Sequence, residues 1–215
     1  PPTPQYPLVQ TRSDLGWLTM PEASVSGDYT LAPATATSGN RAYVLKTQLA
    51  EDEYFVVEYR QKKNMGEYDN YVPESGLIVY RVNKAVPDHT NRDGNNYIYV
   101  FRPGTAINHA DALEEVDYYS TKRSAVYNAA VGTNSRPSLG KSDMTADCTQ
   151  DTIFYSDGKN SGIVIDQIRF NGDGTATFHV SYPELNSENT WMKQDESIAG
   201  ASSVSLTADS EQGYL

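Results

Sequence analysis

The sequence predicts an all-β protein, a two-layer antiparallel β-sandwich of jelly-roll-like type with long loops. The chain has 16 tyrosines in 215 residues, and tyrosine packs well on the half-buried surface of a sheet. Several short runs are apolar on both faces, as expected for strands in the middle of a sheet. Two β-rich runs flank Asn-Gly-Asp-Gly at 171–174, a pattern typical of a tight hairpin turn.

The predicted strands follow one another between polar loops. Residues 53–61 (EYFVVEYRQ) carry the strongest pattern, because the central YFVV is apolar on both faces. Residues 76–83 and 97–102 have the same character. The remaining predicted strands are residues 26–31, 42–45, 162–170 and 175–181.

Alternation in the two hairpin arms assigns side chains to faces of the sheet. In the first arm, Ile165 and Gln167 are predicted on one face, and Asp166 and Ile168 on the other. The second arm is predicted to pack one face against the core and to expose the other face to solvent. Its predicted core residues are Ala176, Phe178 and Val180.

Composition divides the chain into three segments. Residues 1–13 are predicted to be a Pro-rich linker, with an extended chain over residues 1–10 because proline donates no backbone hydrogen bond. Residues 14–183 are the predicted sandwich domain, with Trp17 as a core anchor and a short helix at 108–116. Residues 184–215 are rich in Ser, Glu, Asp and Ala, and we expect a polar tail or the start of a further unit.

Charge and cysteine content exclude several classes of function. The net charge of −11 repels phosphate backbones, so no nucleic-acid partner is expected. No run of about 18 apolar residues is present, so no membrane-spanning helix is expected. The one cysteine, Cys148, forms no internal disulfide and no zinc-finger pattern.

No motif for catalysis is present in the sequence. The chain lacks H-E-x-x-H, G-x-S-x-G, a P-loop and a dinucleotide fingerprint. No catalytic residue is therefore assigned. A hydrolase assembled from distant residues remains an alternative, and it would need His89 or His109 beside a carboxylate.

Two polar loops offer oxygen ligands of the kind that calcium prefers. Asp88, Asp93 and Asn95 surround one sharp turn, and Asp157 and Asn160 lie in the second loop. Polar turns explain the same residues without a metal, so both explanations stay open. No cofactor is assigned to this chain itself unless one of these loops binds calcium.

A further set of residues suggests ligand stacking or a structural ion pair. Glu58 and Arg60 share a face of the predicted strand 53–61, and we expect a structural ion pair, either between these two residues or with the loop at 64–74.

Alternation also predicts that two of the tyrosines, at 97 and 99, share a face. The tyrosines that would stack on sugar rings if exposed are Tyr68, Tyr71, Tyr97 and Tyr99.

Residues 53–83 resemble the segment downstream of the zinc site in the M6 (immune inhibitor A) peptidase family. There, a strand ending in E-x-R-Q precedes a D-x-Y-x-P-x-x-G-L-x-x-x-x-V run. The matching residues are Glu58, Arg60, Gln61, Asp69, Tyr71, Pro73, Gly76, Leu77 and Val82. Further matches in the same order are LGWL at 15–18, YVFRPG at 99–104, RPSL at 136–139, FYSDGKNSGIVIDQI at 154–168 and NGDGTATFHV at 171–180.

This resemblance covers about residues 14–182. It implies a secreted or cell-surface bacterial zinc endopeptidase whose H-E-x-x-H helix lies N-terminal to this region. Zinc is then expected only in that catalytic domain. This chain would be a non-catalytic accessory sandwich, and its expected partner is the catalytic domain or a protein substrate. The alternative is a free-standing glycan- or protein-binding module of a bacterial exported protein.

Overall fold

The computed structural model describes residues 6–64, 67–69, 72, 74–92, 95–102 and 129–184, without the side chains of residues 88, 92 and 95. Contacts divide the chain into two units, Pro1–Pro183 and Glu184–Leu215. All the helices and strands given below belong to the first unit. The helix predicted at 108–116 lies outside the described residues.

Two antiparallel sheets confirm the predicted all-β sandwich. The large sheet contains, in spatial order, β2 (Ala42–Leu45), β3 (Glu53–Arg60), β4 (Gly76–Asn83) and β7 (Ile98–Val100). The small sheet contains β1 (Gly27–Leu31), β9 (Ala176–Ser181) and β8 (Val164–Phe170). The shorter elements are α1 (Val9–Asp14), a 3-10 turn (Pro87–His89), β5 (Asn91–Arg92) and β6 (Asn95–Asn96).

Both faces of the large sheet are buried, as the doubly apolar pattern of residues 53–61 predicts. Phe55 and Val57 of β3 belong to an inner core between the two sheets, which also contains Phe178 of β9. Val56 of β3 belongs to an outer core on the opposite face, which Val9 of α1 helps to cover. The strand period of two produces this division, because successive side chains point to opposite faces.

In the small sheet, a strand from the start of the sandwich domain pairs with the last strand of that domain. β1 pairs with β9, and Tyr29 lies opposite Phe178. In β9, Ala176, Phe178 and Val180 are fully buried while their neighbours are partly exposed. The predicted alternation of this arm is therefore confirmed.

The predicted hairpin joins β8 to β9, but β8 contains a bulge that the alternation pattern does not reveal. The amide of Asn171 donates to the carbonyl of Thr175 at 2.8 Å, which closes the turn. The register shifts between Asp166 and Arg169, and Gln167 has a φ of +50°. The bulge turns Ile168 back to the inner core, so its predicted face is wrong. An extra residue in one strand reverses the alternation that follows it.

Part of the predicted extended linker is helical. Val9–Asp14 forms α1, and the Val9 side chain is fully buried. The prediction of an extended chain is wrong at Val9 and Gln10, because tertiary contacts at the start of the helix outweigh the local composition.

The end of α1 explains why Trp17 is not a core residue. The amide of Gly16 donates to the Ser13 carbonyl and that of Trp17 to the Arg12 carbonyl, both at 2.9 Å, and Gly16 has a φ of +73°. These bonds form a Schellman motif, which reverses the chain. The Trp17 side chain is 68% exposed, so the prediction of a core anchor is wrong.

Candidate functional site

Among the residues that the structure describes, the most concentrated group of buried charges lies on β3 and its neighbours, beside α1. Arg60 donates from Nε to Glu58 Oε1 at 2.6 Å, and its Nη1 lies 3.0 Å from Asp69 Oδ1. All three side chains are at most 6% exposed. Tyr80 of β4 donates its hydroxyl to Glu58 Oε2 at 2.9 Å. We call Glu58, Arg60, Asp69 and Tyr80 the Glu58 network.

The Glu58 network binds the backbone at the start of α1. The amide of Val9 donates to Glu58 Oε2 at 2.7 Å, and that of Gln10 donates to the Tyr80 hydroxyl at 3.1 Å. The first amides of a helix have no partner within the helix, and Leu8 at the cap position supplies no side-chain acceptor. Glu58 and Tyr80 therefore cap α1 from the large sheet.

Tyr6, which precedes α1 in the chain, is hydrogen-bonded through both its amide and its carbonyl. Arg60 Nη1 donates to the Tyr6 carbonyl at 2.6 Å, and the Tyr6 amide donates to Asp69 Oδ1 at 2.9 Å. The Tyr6 ring also contacts Tyr68 edge-on, at a centroid distance of 5.3 Å. The path of the chain into the sandwich is thus held by two buried charged groups.

The electrostatics of the network favour a structural role over acid–base chemistry. Burial lowers the pKa of Arg60, but the carboxylates of Glu58 and Asp69 outweigh this effect and hold the pKa above its ordinary value. Burial, followed by the negative charge of Glu58, raises the pKa of Tyr80 well above its ordinary value. The Tyr80 hydroxyl therefore stays a neutral donor, and Glu58 is occupied by hydrogen bonds from Arg60, Val9 and Tyr80.

A second group of hydrogen bonds continues along α1. Gln10 Nε2 donates to Asp14 Oδ1 at 2.8 Å, and the Tyr54 hydroxyl donates to Gln10 Oε1 at 3.1 Å. The Tyr97 hydroxyl donates to Asp14 Oδ2 at 3.0 Å. Sequence patterns did not indicate Gln10 or Asp14, because the tyrosines that they bind lie more than 40 positions away along the chain.

Two of the tyrosines predicted to stack on ligands are core residues. Tyr97 is 3% exposed and belongs to the outer core, where the His89 ring stacks on it at 4.3 Å. Tyr99 is 5% exposed and belongs to the inner core. The chain bends at Tyr97 before β7 begins, so the prediction that these two residues share a face is wrong. Tyr68 is half exposed, and Tyr71 lies outside the described residues.

In the second loop predicted to bind calcium, Asp157 and Asn160 interact with other groups of the protein. Asp157 accepts a hydrogen bond from the Lys159 amide and lies 3.3 Å from Lys159 Nζ. The Asn160 side chain donates to the carbonyls of Lys141 and Asp143 and accepts from the Gly162 amide. These contacts are those of structured turns.

The first calcium loop is described only in part. Asp93 and the side chains of Asp88 and Asn95 lie outside the described residues. Among the residues that are described, no three His, Cys, Asp or Glu side chains form a group that could hold a metal ion. Calcium binding by this chain stays a prediction.

Two further buried arginines hold the region 129–163 against the large sheet. Arg81 Nε lies 3.3 Å from Glu53 Oε2, and Arg81 Nη1 donates to the Phe154 carbonyl. Arg136 donates to the carbonyls of Phe101 and Gln150, and burial lowers its pKa to about 10. The sequence shows the arginines but not their partners, which depend on the strand register.

An open groove of about 300 Å³ lies beside the end of α1, and we call it the α1 groove. Lys46 and Glu22 form an ion pair at 3.1 Å there, and Lys84 Nζ lies 5.6 Å from the centre of the Tyr54 ring. No sequence motif indicates this groove, because its residues come from four separate segments. The lining residues are Ser13, Thr19, Met20, Glu22, Val44, Lys46, Tyr54 and Lys84.

No protein-family model, curated protein or solved structure matches this chain. In the ranges that the structure describes, no helix is long and apolar enough to cross a membrane.

Proposed function

We propose that this chain is the non-catalytic accessory β-sandwich of a secreted, M6-like bacterial zinc endopeptidase. One observation carries the proposal. Glu58, Arg60 and Asp69 all belong to the sequence motif that resembles this family, and they meet in one buried network. That network binds the backbone of the N-terminal segment at Tyr6 and Val9.

The proposed role of the sandwich is to hold a catalytic domain that precedes it. The network binds both the amide and the carbonyl of Tyr6, so it sets the direction in which the chain enters. A domain attached ahead of Tyr6 would be positioned by these contacts rather than by a free linker. The zinc ion would belong to that domain and supply a polarised water there.

Two measurements test this proposal. The coding sequence upstream of Pro1 should contain H-E-x-x-H. The longer protein that includes this region should cleave casein and should lose the activity when the Glu of that motif becomes Gln. Residues 1–215 alone should release no more peptide from casein with zinc than buffer does. An upstream sequence without the motif, or cleavage by residues 1–215 alone, contradicts the proposal.

A second candidate function is a free-standing module that binds glycans or proteins. The observation in its favour is the exposure of two large apolar side chains within three residues, Leu15 at 56% and Trp17 at 68%. Tryptophan is enriched among the residues that dominate binding energies. The same upstream coding sequence distinguishes the two candidates, because an independent module needs no peptidase motif ahead of it.

A further inference from the structure

The turn between β8 and β9 contains the only Asn-Gly pair in the sequence, Asn171-Gly172. Both residues are exposed to solvent. Glycine has no Cβ atom to shield its backbone nitrogen, so a neighbouring side chain can approach that nitrogen closely. Among the described residues, no protein group accepts a hydrogen bond from the Gly172 amide. The pair therefore places a carboxamide next to an accessible backbone nitrogen.

The folded turn restrains both the side chain and the backbone of Asn171. Its carboxamide Nδ2 donates to Thr175 Oγ1 and to Thr177 Oγ1, both at 2.9 Å. Its backbone amide donates to the Thr175 carbonyl at 2.8 Å, and its carbonyl accepts from the Gly174 amide at 3.0 Å. A rotation that brings the carboxamide onto the Gly172 nitrogen must break at least one of these bonds.

We propose that Asn171 is a site of spontaneous deamidation that the folded turn protects. In this reaction the deprotonated Gly172 nitrogen attacks Cγ of Asn171, the bond from Cγ to Nδ2 breaks, and ammonia leaves. The product is a five-membered succinimide. Water then opens the ring at either carbonyl and produces aspartate or isoaspartate at position 171. The reaction consumes one water and needs no other reactant, so its rate depends on how often the turn opens.

The isoaspartate product is incompatible with the closed turn. It inserts one carbon atom into the main chain between the amide and the carbonyl of residue 171. Those two groups form the backbone hydrogen bonds to Thr175 and Gly174. Deamidation therefore converts an occasional opening of the β8–β9 turn into a permanent loss of its geometry.

The test compares rates of deamidation at Asn171 in the folded protein and in urea. Residues 1–215 are incubated at mildly alkaline pH, and mass spectrometry of the peptide that contains residue 171 measures the products. In urea, Asn171 should convert faster than any other asparagine of the chain. In the folded protein it should convert about tenfold or more slowly, because two side-chain hydrogen bonds hold the carboxamide.

Two threonine variants assign the protection to the turn. Thr177→Val removes one acceptor and should raise the rate in the folded protein by about two- to tenfold, without changing the rate in urea. Thr30 lies opposite Thr177 on β1 and is exposed, so Thr30→Val is the matched control and should leave both rates unchanged. Circular dichroism checks that each variant is folded.

A second measurement tests the effect of the product. Ion exchange separates the isoaspartate form, which is compared with the Asn171→Asp variant. The two proteins carry the same charge, but only the isoaspartate form has the longer main chain, so it should melt at a lower temperature.

Three results would overturn the proposal. They are equal rates in the folded protein and in urea, an unchanged rate in a folded Thr177→Val variant, and equal melting temperatures of the isoaspartate form and Asn171→Asp.

Discussion

At the scale of single residues, Glu58 is predicted to contribute strongly to stability. Its fully buried carboxylate binds Arg60, Val9 and Tyr80. Glu58→Ala should lower the free energy of unfolding by about 3–5 kcal/mol, because it removes one partner of a buried ion pair. Guanidinium denaturation, followed by circular dichroism, measures the loss.

An exposed ion pair provides the control for Glu58. Lys159 and Asp157 are paired at 3.3 Å with side chains 71% and 54% exposed. Exposed pairs contribute little, so Lys159→Ala should leave the denaturation midpoint almost unchanged. Equal effects of Glu58→Ala and Lys159→Ala would refute the stabilising role of the network.

Buried tyrosines predict how stability depends on alkaline pH. Burial raises the pKa of Tyr54 and of Tyr155 to about 12, from an ordinary value of 10. Between pH 10 and 12 the unfolded chain loses these protons and the folded protein keeps them, so stability falls as the pH rises. Denaturation midpoints between pH 8 and 12 should show this decline.

Single substitutions assign the alkaline decline to the buried hydroxyls. Tyr155→Phe removes one of these groups, so the decline between pH 10 and 12 should become shallower. Tyr68 is half exposed, and Tyr68→Phe should leave the slope as it is. A slope that is the same in all three proteins would show that burial of Tyr155 does not cause the decline.

At the scale of elements, the turn between β8 and β9 depends on one glycine. Gly174 has a φ of +85°, and its amide donates to the Asn171 carbonyl at 3.0 Å. A side chain at this φ is strained, so Gly174→Ala should cost about 1–2 kcal/mol. Thermal unfolding of the variant measures this cost.

Gly172, in the same turn, is the matched control. A Cβ atom would meet no other atom within 4 Å at either glycine, but only Gly174 has a positive φ. Gly172→Ala should therefore change the melting temperature much less than Gly174→Ala. Equal changes would mean that the turn does not require the left-handed conformation.

At the scale of the whole molecule, the two sheets depend on the inner core for their association. Phe178 of the small sheet is fully buried and packs near Tyr43 of the large sheet, at a ring distance of 6.3 Å. Phe178→Ala should lower the free energy of unfolding by about 3–5 kcal/mol. This is a large part of the 5–15 kcal/mol typical of a domain, so thermal denaturation should show a much lower melting temperature.

A second phenylalanine tests whether burial causes that loss. Phe170, at the end of β8, is 42% exposed and stacks on Tyr59 at 5.4 Å. Phe170→Ala removes the same atoms from a site that is partly in water, so its loss should be clearly smaller. A larger loss for Phe170→Ala than for Phe178→Ala would contradict the assignment of the core.

Local pattern in the sequence was enough to predict the strands and the hairpin. β2 and β4 have the predicted bounds, and β3 differs by a single residue. The same strand period places Glu58 and Arg60 on one face, where they form their ion pair. These features are predictable because each depends on residues a few positions apart, whose alternation decides which side chains can be buried together.

Contacts between distant segments decided the rest. Asp69 reaches Arg60 from a loop, and α1 forms where Glu58 and Tyr80 cap it. Trp17 follows the Schellman motif at the end of α1, and its side chain is exposed. Only the folded chain brings Ser13, Glu22 and Lys84 to one groove. The physical reason is that hydrogen bonding and burial depend on which groups lie close together in the folded structure. The positions of residues along the chain do not show which distant groups these are.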